Sequence, residues 1–478
     1  MIFNSVEFLI FFPVTVLVYF LLPQKVRKYF LLAASCYFYM SFIPKYMLIL
    51  VFTTVVDYTG ALLIEKYNRQ PKARSAAFLV AICLNIGMLI YFKYLGTIGD
   101  VINVFGRALS LKTLVIPEIV LPIGISFHTF QSMGYLIDVY RGKEKAERNF
   151  SDFALFLMYF PQLVAGPIER SSNLFSQLKA HHVLKADNIR LGGRKMLWGM
   201  FKKVVVADNL ALFADAVFNH VADYSGLGLV IGVLAFTVQI YCDFSGYSDI
   251  AIGASKIMDI DLMTNFAAPY FSSSTQEFWR RWHISLSTWF RDYVYIPLGG
   301  NRVSKPRWVL NQMLTFTVSG IWHGAGFTYM FWGFLNGLYI VLSRLTASFR
   351  KRTRTALKLD RIPSAYHLLC VVSTFLLVSF SWIFFRANSF SDAFYVIGNL
   401  FGSTVMDFSG IPALRAYVSL GAVLLLFGVE YVCNYMKPLA DRFFRMPRLI
   451  RLVCYALLSA IIIIFGAYDN KAFIYFQF

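Results

Sequence analysis

Two histidines lie in a stretch of the chain that combines aromatic, basic and glycine residues, between Phe278 and Gly326. His283 is embedded in the run FWRRWHISLSTWF, and His323 lies in the run SGIWHGAGFTY. A neutral imidazole can take the proton of a hydroxyl group while that hydroxyl attacks a carbonyl carbon, an effect worth roughly 10²–10⁴ in rate. Ionisable side chains within apolar, membrane-type sequence mark functional sites by default. The two histidines are therefore the first candidates for catalytic residues.

His323 ends the apolar segment 308–323, and the Gly324–Gly326 turn after it carries almost no side chains that would keep a substrate from the imidazole. A helix of roughly 16 residues covers about 24 Å at ~1.5 Å per residue, which predicts His323 in the outer half of a membrane. Trp322 and Trp282, the neighbours of the two histidines, are candidate substrate contacts. The alternative is an interfacial histidine that bonds a backbone carbonyl.

His283 lies on a helix predicted over 277–293, because the aromatic residues of this segment recur at helical spacing. Arg280, Arg281 and Arg291 on the same segment could hold the phosphates of a coenzyme through charge-assisted bonds. His283 could orient a catalytic group, line the path of an acyl group or help to hold those phosphates. The alternative is a hydrogen-bonded histidine in an aromatic core.

A third polar group lies in the run QIYCDFSGYSDIAIGASKIM. Asp243, Ser245 and Tyr247 cannot all share one face of a helix at this spacing, so we expect a break at Gly246 that turns them into a chamber as substrate contacts. A serine nucleophile is disfavoured, because the chain has no GxSxG elbow and no serine of this run has an identifiable base.

The elements that hold these residues are predicted to be membrane helices. The chain of 478 residues is 58% hydrophobic, 18% aromatic and only 15% charged, with a mean hydropathy of +0.59. Soluble domains are about a quarter charged, and a spanning helix needs about 20 mostly apolar residues. Such segments fill most of the sequence, which predicts one polytopic all-α membrane domain over 1–478. The N-terminus lacks the features of a cleavable signal and is expected to be a retained helix.

A net charge of +19 is compatible with nucleic-acid binding, but the positions of the basic residues indicate membrane topology instead. They concentrate in short connectors, at 25–28, 66–74, 141–148, 350–361 and 437–451. Apolar segments are predicted near 6–22, 29–43, 46–64, 76–95, 119–139, 150–168, 196–218, 227–243, 308–323, 327–343, 364–385, 411–434 and 450–468. With basic connectors in the cytoplasm, both termini and the Gly99–Glu118 connector are expected outside it.

The segment 244–300 is too polar to face lipid and too apolar to be a free loop, which predicts re-entrant or interfacial segments around an internal chamber. His128 is expected to be buried and hydrogen-bonded, and the His181-His182 pair to lie in a solvated connector. The GLGLVIG run over 226–232 indicates close helix packing rather than a nucleotide loop. Six scattered cysteines form no CxxC pair, and no spacing indicates a metal site.

These motifs together resemble the bacterial branch of the membrane-bound O-acyltransferase (MBOAT) family, most specifically over 124–337. The runs around the two histidines carry the resemblance, with the run containing Asp243 and the runs PIGISFHTFQSMGYLIDVYRG and YFPQLVAGPIER. The IPLGGN run at 296–301 favours the alginate O-acetyltransferase-like branch over the branch that exports D-alanine to teichoic acids. The resemblance implies a bundle of about eleven transmembrane helices with re-entrant segments around a central chamber.

The resemblance also implies an enzyme of the bacterial plasma membrane. It would move an acyl group, expected to be acetyl, from a cytoplasmic thioester to hydroxyls of an extracytoplasmic polysaccharide, directly or through an extracytoplasmic acyltransferase partner. The donor is expected to be acetyl-CoA or an acyl-carrier thioester, with no bound cofactor. His323 and His283 are the implied catalytic residues. D-alanyl transfer to teichoic acid and a non-catalytic transporter or flippase are the alternatives, although a carrier needs no base beside a glycine turn.

The predicted orientation is testable with single cysteines and an impermeant thiol reagent. Cysteines placed in Gly99–Glu118 are expected to react in intact cells, and those in 349–361 to react only after the membrane is opened, because positive connectors stay in the cytoplasm. The opposite labelling pattern would invert the topology and put the donor site on the wrong side.

Overall fold

The computed structural model describes residues 1–110, 113–115, 117, 121–164, 166–468 and 473–474, which fold as a helical bundle. Six helices are long and apolar enough to cross a membrane, judged by length and composition: Pro44–Lys66, Pro71–Ala108, Leu227–Ile257, Pro363–Arg386, Ala413–Tyr435 and Arg448–Phe465. An isolated bridge between Ser225 and Val405 is the only β contact in this part of the chain. The predicted all-α membrane class is confirmed, and the count of about eleven spans stays a prediction.

The first five helices follow the apolar segments of the sequence. They are α1 (Val6–Leu21), α2 (Gln24–Met40), α3 (Met47–Lys66), α4 (Pro71–Leu89) and α5 (Leu95–Ala108). A π-helical turn over Ile90–Tyr94 joins α4 to α5, so the chain stays helical as far as Ala108. The connector predicted from Gly99 to Glu118 therefore begins later than expected, and part of it lies outside the described residues.

The single span predicted over 150–168 is wrong, because this segment forms two short helices. The elements around it are α6 (Ile125–Tyr140), α7 (Phe150–Met158), α8 (Phe160–Leu163) and α9 (Ser171–Leu178). The 9 residues of α7 cover only about 14 Å at ~1.5 Å each. After α8, Ser171 donates to Glu144 (2.5 Å) and Lys179 pairs with Glu147. The chain thus enters the bundle and returns to the end from which it came.

A continuous helix of 31 residues, α12 (Leu227–Ile257), forms the centre of the bundle, so the predicted break at Gly246 is wrong. It packs against α10 (Ala186–Met200), a π-helical segment over Phe201–Ala207 and α11 (Asp208–Asn219). Two carboxylates in this part of the bundle share one lysine of the π-helical segment. Asp243 on α12 and Asp208 on α11 each lie 2.8 Å from the Nζ of Lys203. Residues 244–257, predicted to be re-entrant or interfacial, therefore belong to α12.

Paired glycines let α10 and α12 approach each other closely. A Cβ atom on Gly192 would lie 2.4 Å from the carbonyl oxygen of Gly253, and one on Gly199 would lie 2.6 Å from that of Gly246. The GLGLVIG run at the start of α12 works in the same way, since a Cβ on Gly232 would lie 2.6 Å from a valine side chain of α11. The interpretation of this run as helix packing is confirmed.

The single helix predicted over 277–293 is also wrong. The chain forms two short helices, α13 (Thr275–Arg281) and α14 (Ile284–Phe290), followed by a π-helical turn over Arg291–Tyr295. The helices that follow are α15 (Lys305–His323), α16 (Phe327–Leu345), α17 (Ala347–Ala356), α18 (Pro363–Arg386), α19 (Phe390–Asn399), α20 (Ala413–Tyr435), α21 (Lys437–Arg445) and α22 (Arg448–Phe465). The helix break falls at His283, which puts this residue at a junction rather than on a helix face.

Two further histidines differ from their predictions. His182 is buried rather than solvated, with its ring nitrogens 3.1 Å from the carbonyl oxygen of Asp259 and 2.9 Å from that of Gln177. It thereby ties the connector before α10 to the end of α12, whereas His181 is exposed. His128 is buried as predicted, but neither of its ring nitrogens has a hydrogen-bond partner among the described residues.

The contact between α10 and α12 is tested by a matched pair of adjacent glycines. Gly192→Ala is expected to lower the apparent Tm of the detergent-solubilised protein, because the added methyl group meets a backbone carbonyl, a kind of overpacking that costs about 1–3 kcal/mol. Gly193→Ala is expected to leave the Tm unchanged or raise it, since a Cβ there meets nothing within 4 Å and alanine favours the helix. Equal Tm values for the two variants would contradict the packing argument.

Candidate active site

His323 lies at the end of α15, packed among aromatic rings and only 4% exposed. Three ring centroids lie 4.8, 5.0 and 5.5 Å from its own, those of Trp322, Trp332 and Phe385 respectively. Gly324 has no room for a side chain, because a Cβ atom there would lie 2.2 Å from the Tyr329 ring. The Tyr329 ring therefore fills the space at Gly324 that was expected to admit a substrate. A substrate must reach the imidazole from another side.

His283 is buried between α13 and α14, with its Nδ1 3.1 Å from Oδ1 of Asn265. The other partners of Asn265 fix the orientation of its amide: the backbone N–H of Ser285 donates to the same oxygen (3.3 Å), and Nδ2 donates to Ser248 Oγ (3.2 Å). A backbone N–H can only donate, so the atom that faces it is the oxygen and His283 donates from Nδ1. Nε2 of His283 therefore carries the lone pair, and it has no hydrogen-bond partner among the described residues.

The backbone at His283 is strained, a feature that was not predicted from the residue pattern. Its φ of 42° and ψ of 56° are left-handed, a conformation that costs a residue with a side chain of order 1–3 kcal/mol. Backbone hydrogen bonds hold the turn from both sides, since Ala267 N–H donates to Arg281 O (3.0 Å) and Ile284 N–H donates to Asn265 O (2.9 Å). The segment that precedes α13 thus fixes both the backbone and the ring of His283.

Aromatic rings connect the two histidines. The Phe127 ring lies 6.1 Å from the His283 ring and 5.6 Å from that of Trp322. The Trp322 ring lies 6.4 Å from His283 and 4.8 Å from His323, and it stacks on Phe130 at 5.1 Å. We call Phe127, Phe130 and Trp322 the aromatic wall. The structure therefore brings His283, His323 and Trp322 together in one layer of the bundle.

A cavity lies on one side of the aromatic wall, and we call it the His323 cavity. Its lining consists of Lys93, residues 121–127, Val164, Trp322 and His323. Lys93 belongs to the π-helical turn between α4 and α5, and π-helical turns are frequent at functional sites. Its Nζ donates to the carbonyl oxygens of Trp322 (2.7 Å) and His323 (2.8 Å). Lys93 was not among the residues predicted from the sequence, although a lone lysine in an apolar span is a signal of a functional site.

A second cavity is lined by Phe130 of the aromatic wall, and we call it the Arg170 cavity. Its lining consists of Phe130, Gln131, Gly134, Tyr135, Glu169, Arg170, Ser171, Trp289 and Tyr293. The guanidinium groups of Arg141 and Arg170 lie 5.5 and 4.6 Å from the centroid of the Tyr293 ring. Arg170 pairs with Asp292 (3.1 Å) through Nη2, while its Nη1 has no hydrogen-bond partner in the described part of the chain. Arg170 therefore keeps one N–H group available to a ligand, in a lining that also holds the carboxylate of Glu169.

The three arginines predicted from sequence separate in the structure. Arg291 pairs with Asp292 (2.7 Å), so it lies beside the Arg170 cavity. Arg281 pairs with Glu277 (2.5 Å) one helical turn away, and Arg280 is exposed on the same helix. Neither Arg280 nor Arg281 is among the described residues that line the two cavities.

The remaining candidates lie in the core around the histidine layer. Trp282 is buried, with its ring 5.1 Å from those of Phe266 and Trp382. Asp243 pairs with Lys203 and accepts from the backbone N–H of Ile474 (2.9 Å). Ser245 and Tyr247 are buried on α12, and the Tyr247 ring stacks 4.4 Å from Phe3 near the N-terminus. These contacts give Trp282, Asp243 and Tyr247 packing roles, and none of the four is among the described residues that line the cavities.

Comparison with known proteins identifies the family. Residues 144–385 match the model of MBOAT, the membrane-bound O-acyltransferase family. "Probable alginate O-acetylase AlgI" of Pseudomonas aeruginosa is 40% identical over 402 residues, which cover 84% of this chain and 75% of the relative. "Peptidoglycan O-acetyltransferase" of Helicobacter pylori is 34% identical over 435 residues, with 84% and 80% covered. The chain belongs to the membrane-bound O-acyltransferase family.

Within this MBOAT the expected branch is confirmed as well. "Teichoic acid D-alanyltransferase" of Bacillus subtilis is only 26% identical over 278 residues, which cover 56% of this chain and 69% of the relative. The chain is thus an O-acyltransferase of the alginate O-acetylase-like branch, and both histidines fall within the family match. Among the described residues, no group of three or more His, Cys, Asp and Glu side chains could hold a metal ion. The six cysteines are free thiols.

The contact between Asn265 and His283 predicts a positioning role for Asn265. Asn265→Leu is expected to lower acyl transfer by about 10–100-fold, because His283 Nδ1 loses its acceptor and the lone pair on Nε2 is no longer secured, a loss typical of an orienting partner. Asn434→Leu, which removes an amide that donates to a backbone carbonyl of α20, is the matched control. The rate of polysaccharide acylation at matched protein levels measures the effect, and a wild-type rate for Asn265→Leu would exclude this role.

Proposed function

We propose that this MBOAT transfers an acetyl group from cytoplasmic acetyl-CoA, across the membrane, to hydroxyl groups of an extracytoplasmic polysaccharide. One observation carries the proposal: two separate cavities are each lined by rings of a single aromatic wall, and that wall also contacts both histidines. An arginine with an unpaired N–H group lines one cavity, and His323 lines the other. Such a pair of cavities suits a donor and an acceptor that arrive from different sides.

The Arg170 cavity is proposed to open to the cytoplasm. Its residue Ser171 bonds to Glu144 within the basic connector 141–148, and the nearby Ala180 carbonyl accepts from Gln24 beside the basic connector 25–28. Basic connectors stay on the cytoplasmic side of membrane proteins. The phosphates of the coenzyme would meet Arg170 and Arg291 there, while Arg280 and Arg281 are proposed as further donor contacts on α13.

The His323 cavity is proposed to face the extracytoplasmic side. α15 begins at Lys305, after a basic connector, and its 19 residues cover about 28 Å before His323, at ~1.5 Å per residue. Lys72 and Lys93 belong to the continuous helical stretch Pro71–Ala108. At ~1.5 Å per residue, Lys93 lies about 30 Å along this stretch from Lys72. Two helices that start at the same end therefore bring Lys93 and His323 to one depth, and their contact supports this arrangement. Both termini are then extracytoplasmic.

The proposed reaction is attack of an acceptor hydroxyl on the carbonyl carbon of the thioester. His323 takes the hydroxyl proton as the new C–O bond forms, the C–S bond breaks, and the same proton passes to the departing thiolate, so that an ester and a free thiol result. His283 presents its Nε2 lone pair to the same layer and is proposed to accept a hydrogen bond from the acceptor hydroxyl or the thiol. Acetyl-CoA is a substrate in this scheme, and no bound cofactor takes part.

The acceptor is proposed to be a polysaccharide of the cell envelope of a bacterium, reached directly or through an extracytoplasmic acyltransferase partner. The names of the relatives at 34–40% identity, an alginate O-acetylase and a peptidoglycan O-acetyltransferase, support acetyl transfer to a glycan. D-alanyl transfer from a carrier-protein thioester is the alternative reaction, and acetyl-CoA that does not label the glycan would favour it.

The two-cavity scheme separates transfer from donor binding. His323→Ala is expected to abolish acylation of the polysaccharide while labelled acetyl-CoA still binds the purified protein, because the lost imidazole lies beyond the aromatic wall. Arg170→Ala is expected to weaken acetyl-CoA binding by about tenfold, the scale of one charge-assisted bond. Arg281→Ala is expected to weaken it less, since Glu277 already engages that guanidinium.

Binding isotherms of the three variants, together with acylation at matched expression, distinguish the possible outcomes. Wild-type acylation by His323→Ala would exclude a catalytic role for this histidine. Equal loss of donor binding in His323→Ala and Arg170→Ala would mean one shared pocket instead of two.

A further inference from the structure

The His323 cavity gathers hydrogen-bond donors that the scheme above does not use. Building on the proposed acyl transfer, we propose that Lys93, the indole N–H of Trp322 and the N-terminus of α6 form an oxyanion site. This site would hold the carbonyl oxygen of the acyl group when negative charge develops on it. Lys93 and Trp322 would then be catalytic residues, because both touch a reacting atom.

The ammonium group of Lys93 has one donor to spare. It carries three N–H bonds, and two of them go to the carbonyl oxygens of Trp322 and His323 at the end of α15. No carboxylate lies within 4.0 Å of it in the described part of the chain. Its other contact is the Trp322 ring, whose centroid lies 5.9 Å from Nζ. A cation held among apolar residues by neutral groups retains the capacity to stabilise an anion. Lys93 also lines the cavity, which is where the remaining N–H can find an acceptor.

Trp322 supplies a second and independent donor. Its side chain is only 4% exposed, and its Nε1–H has no hydrogen-bond partner among the described residues. Buried indole N–H groups usually have a hydrogen-bond acceptor. One without an acceptor beside a cavity indicates a site where a ligand can accept the hydrogen bond. Trp322 lines the same cavity as Lys93 and His323.

The N-terminus of α6 supplies the third component. The helix has 16 residues and begins after Gly124, whose φ of 77° turns the chain into the helix without a side-chain cap. Residues 121–127, including this terminus, line the cavity. The backbone N–H of Ser126 has no acceptor in the described part of the chain, and helix N-termini carry partial positive charge. The N–H group of Ser126 therefore lies at the same cavity as the ammonium and indole donors.

The chemistry of acyl transfer needs such a site. When the acceptor oxygen bonds to the carbonyl carbon, the electron pair of the C=O bond moves onto oxygen and a tetrahedral oxyanion forms. Donors already in place stabilise that charge without reorganisation, and removal of one such donor costs roughly 10²–10³ in kcat in well-studied enzymes. The pair then returns to re-form C=O as the C–S bond breaks, so the site acts on the transition state and not on donor binding.

Trp322→Phe gives the sharpest test, because it keeps the ring in the aromatic wall and removes only the N–H. Trp382→Phe is the matched control: its indole is buried to a similar degree, but its N–H has the hydroxyl of Tyr270 as a neighbour, and Trp382 is not among the described residues that line the cavity. Lys93→Met removes the ammonium and Lys93→Arg retains the charge. Thermal unfolding of each purified variant shows whether the substitution alters folding.

The assay uses inverted membrane vesicles that contain the enzyme, supplied with labelled acetyl-CoA. Initial rates are measured for transfer to the envelope polysaccharide and, without polysaccharide, for release of acetate to water. Trp322→Phe and Lys93→Met are expected to lower the maximal rate of both reactions by about 10–100-fold, with the half-saturating acetyl-CoA concentration unchanged, since an oxyanion forms whichever nucleophile attacks. Lys93→Arg is expected to be intermediate, and Trp382→Phe to match the wild type.

Three results would overturn the inference. If only transfer to the polysaccharide falls and acetate release is unchanged, Lys93 binds a carboxylate of the acceptor instead. If Trp322→Phe keeps the wild-type maximal rate of both reactions, the indole N–H is not part of the site, even should Lys93→Met prove unstable. If His323→Ala transfers acetyl groups at the wild-type rate, the proposed function itself is wrong. This result is distinct from wild-type rates in the Trp322 or Lys93 variants, which would contradict only the oxyanion site.

Discussion

A polar or charged side chain inside an apolar bundle costs several kcal/mol unless another group of the protein pairs with it. This constraint explains much of the interior of the molecule. Lys203 pairs with Asp208 of α11 and with Asp243 of α12. Facing glycines let α10 approach α12 closely beside these pairs. The long central helix continues without a break past Asp243, whose carboxylate is paired with Lys203. A scaffold held in this way leaves little freedom for the rings packed against it.

The candidate site is where this pairing is left incomplete. Asn265 secures one nitrogen of His283 and leaves the other with a lone pair and no partner among the described residues. The strained backbone at His283 is held by hydrogen bonds from the segment before α13, so the cost of the strain is met outside the histidine itself. Lys93 is paired only with carbonyl oxygens, which leaves its charge available. Catalytic groups of this kind need a rigid surrounding shell, and the aromatic wall supplies one.

The proposed function assigns the two cavities to two compartments. Each cavity holds groups that suit an anion: guanidinium groups at the Arg170 cavity, and an ammonium group with a helix N-terminus at the His323 cavity. In the proposed reaction the acetyl group stays bonded to the coenzyme sulfur until the acceptor attacks. The thioester end of the donor therefore has to reach the layer of the two histidines, while the phosphates stay at the arginines.

The sequence by itself determined the membrane class, the apolar helices of both ends, the two histidines and the family, because hydropathy over about 20 residues and local motifs need no knowledge of neighbours. It could not determine where helices break or continue. A helix break was predicted at Gly246, but α12 continues through this residue. His283 was predicted within one helix, but it lies at the junction of two short helices. Lys93 had a local signal, since it is a lone lysine in an apolar span, but its partners at the end of α15 lie far along the chain. Asn265 and Arg170 had no such signal, because their contacts with His283 and Asp292 join distant segments. Tertiary structure decided these contacts, since the partner of a buried polar group is chosen by packing and not by sequence spacing.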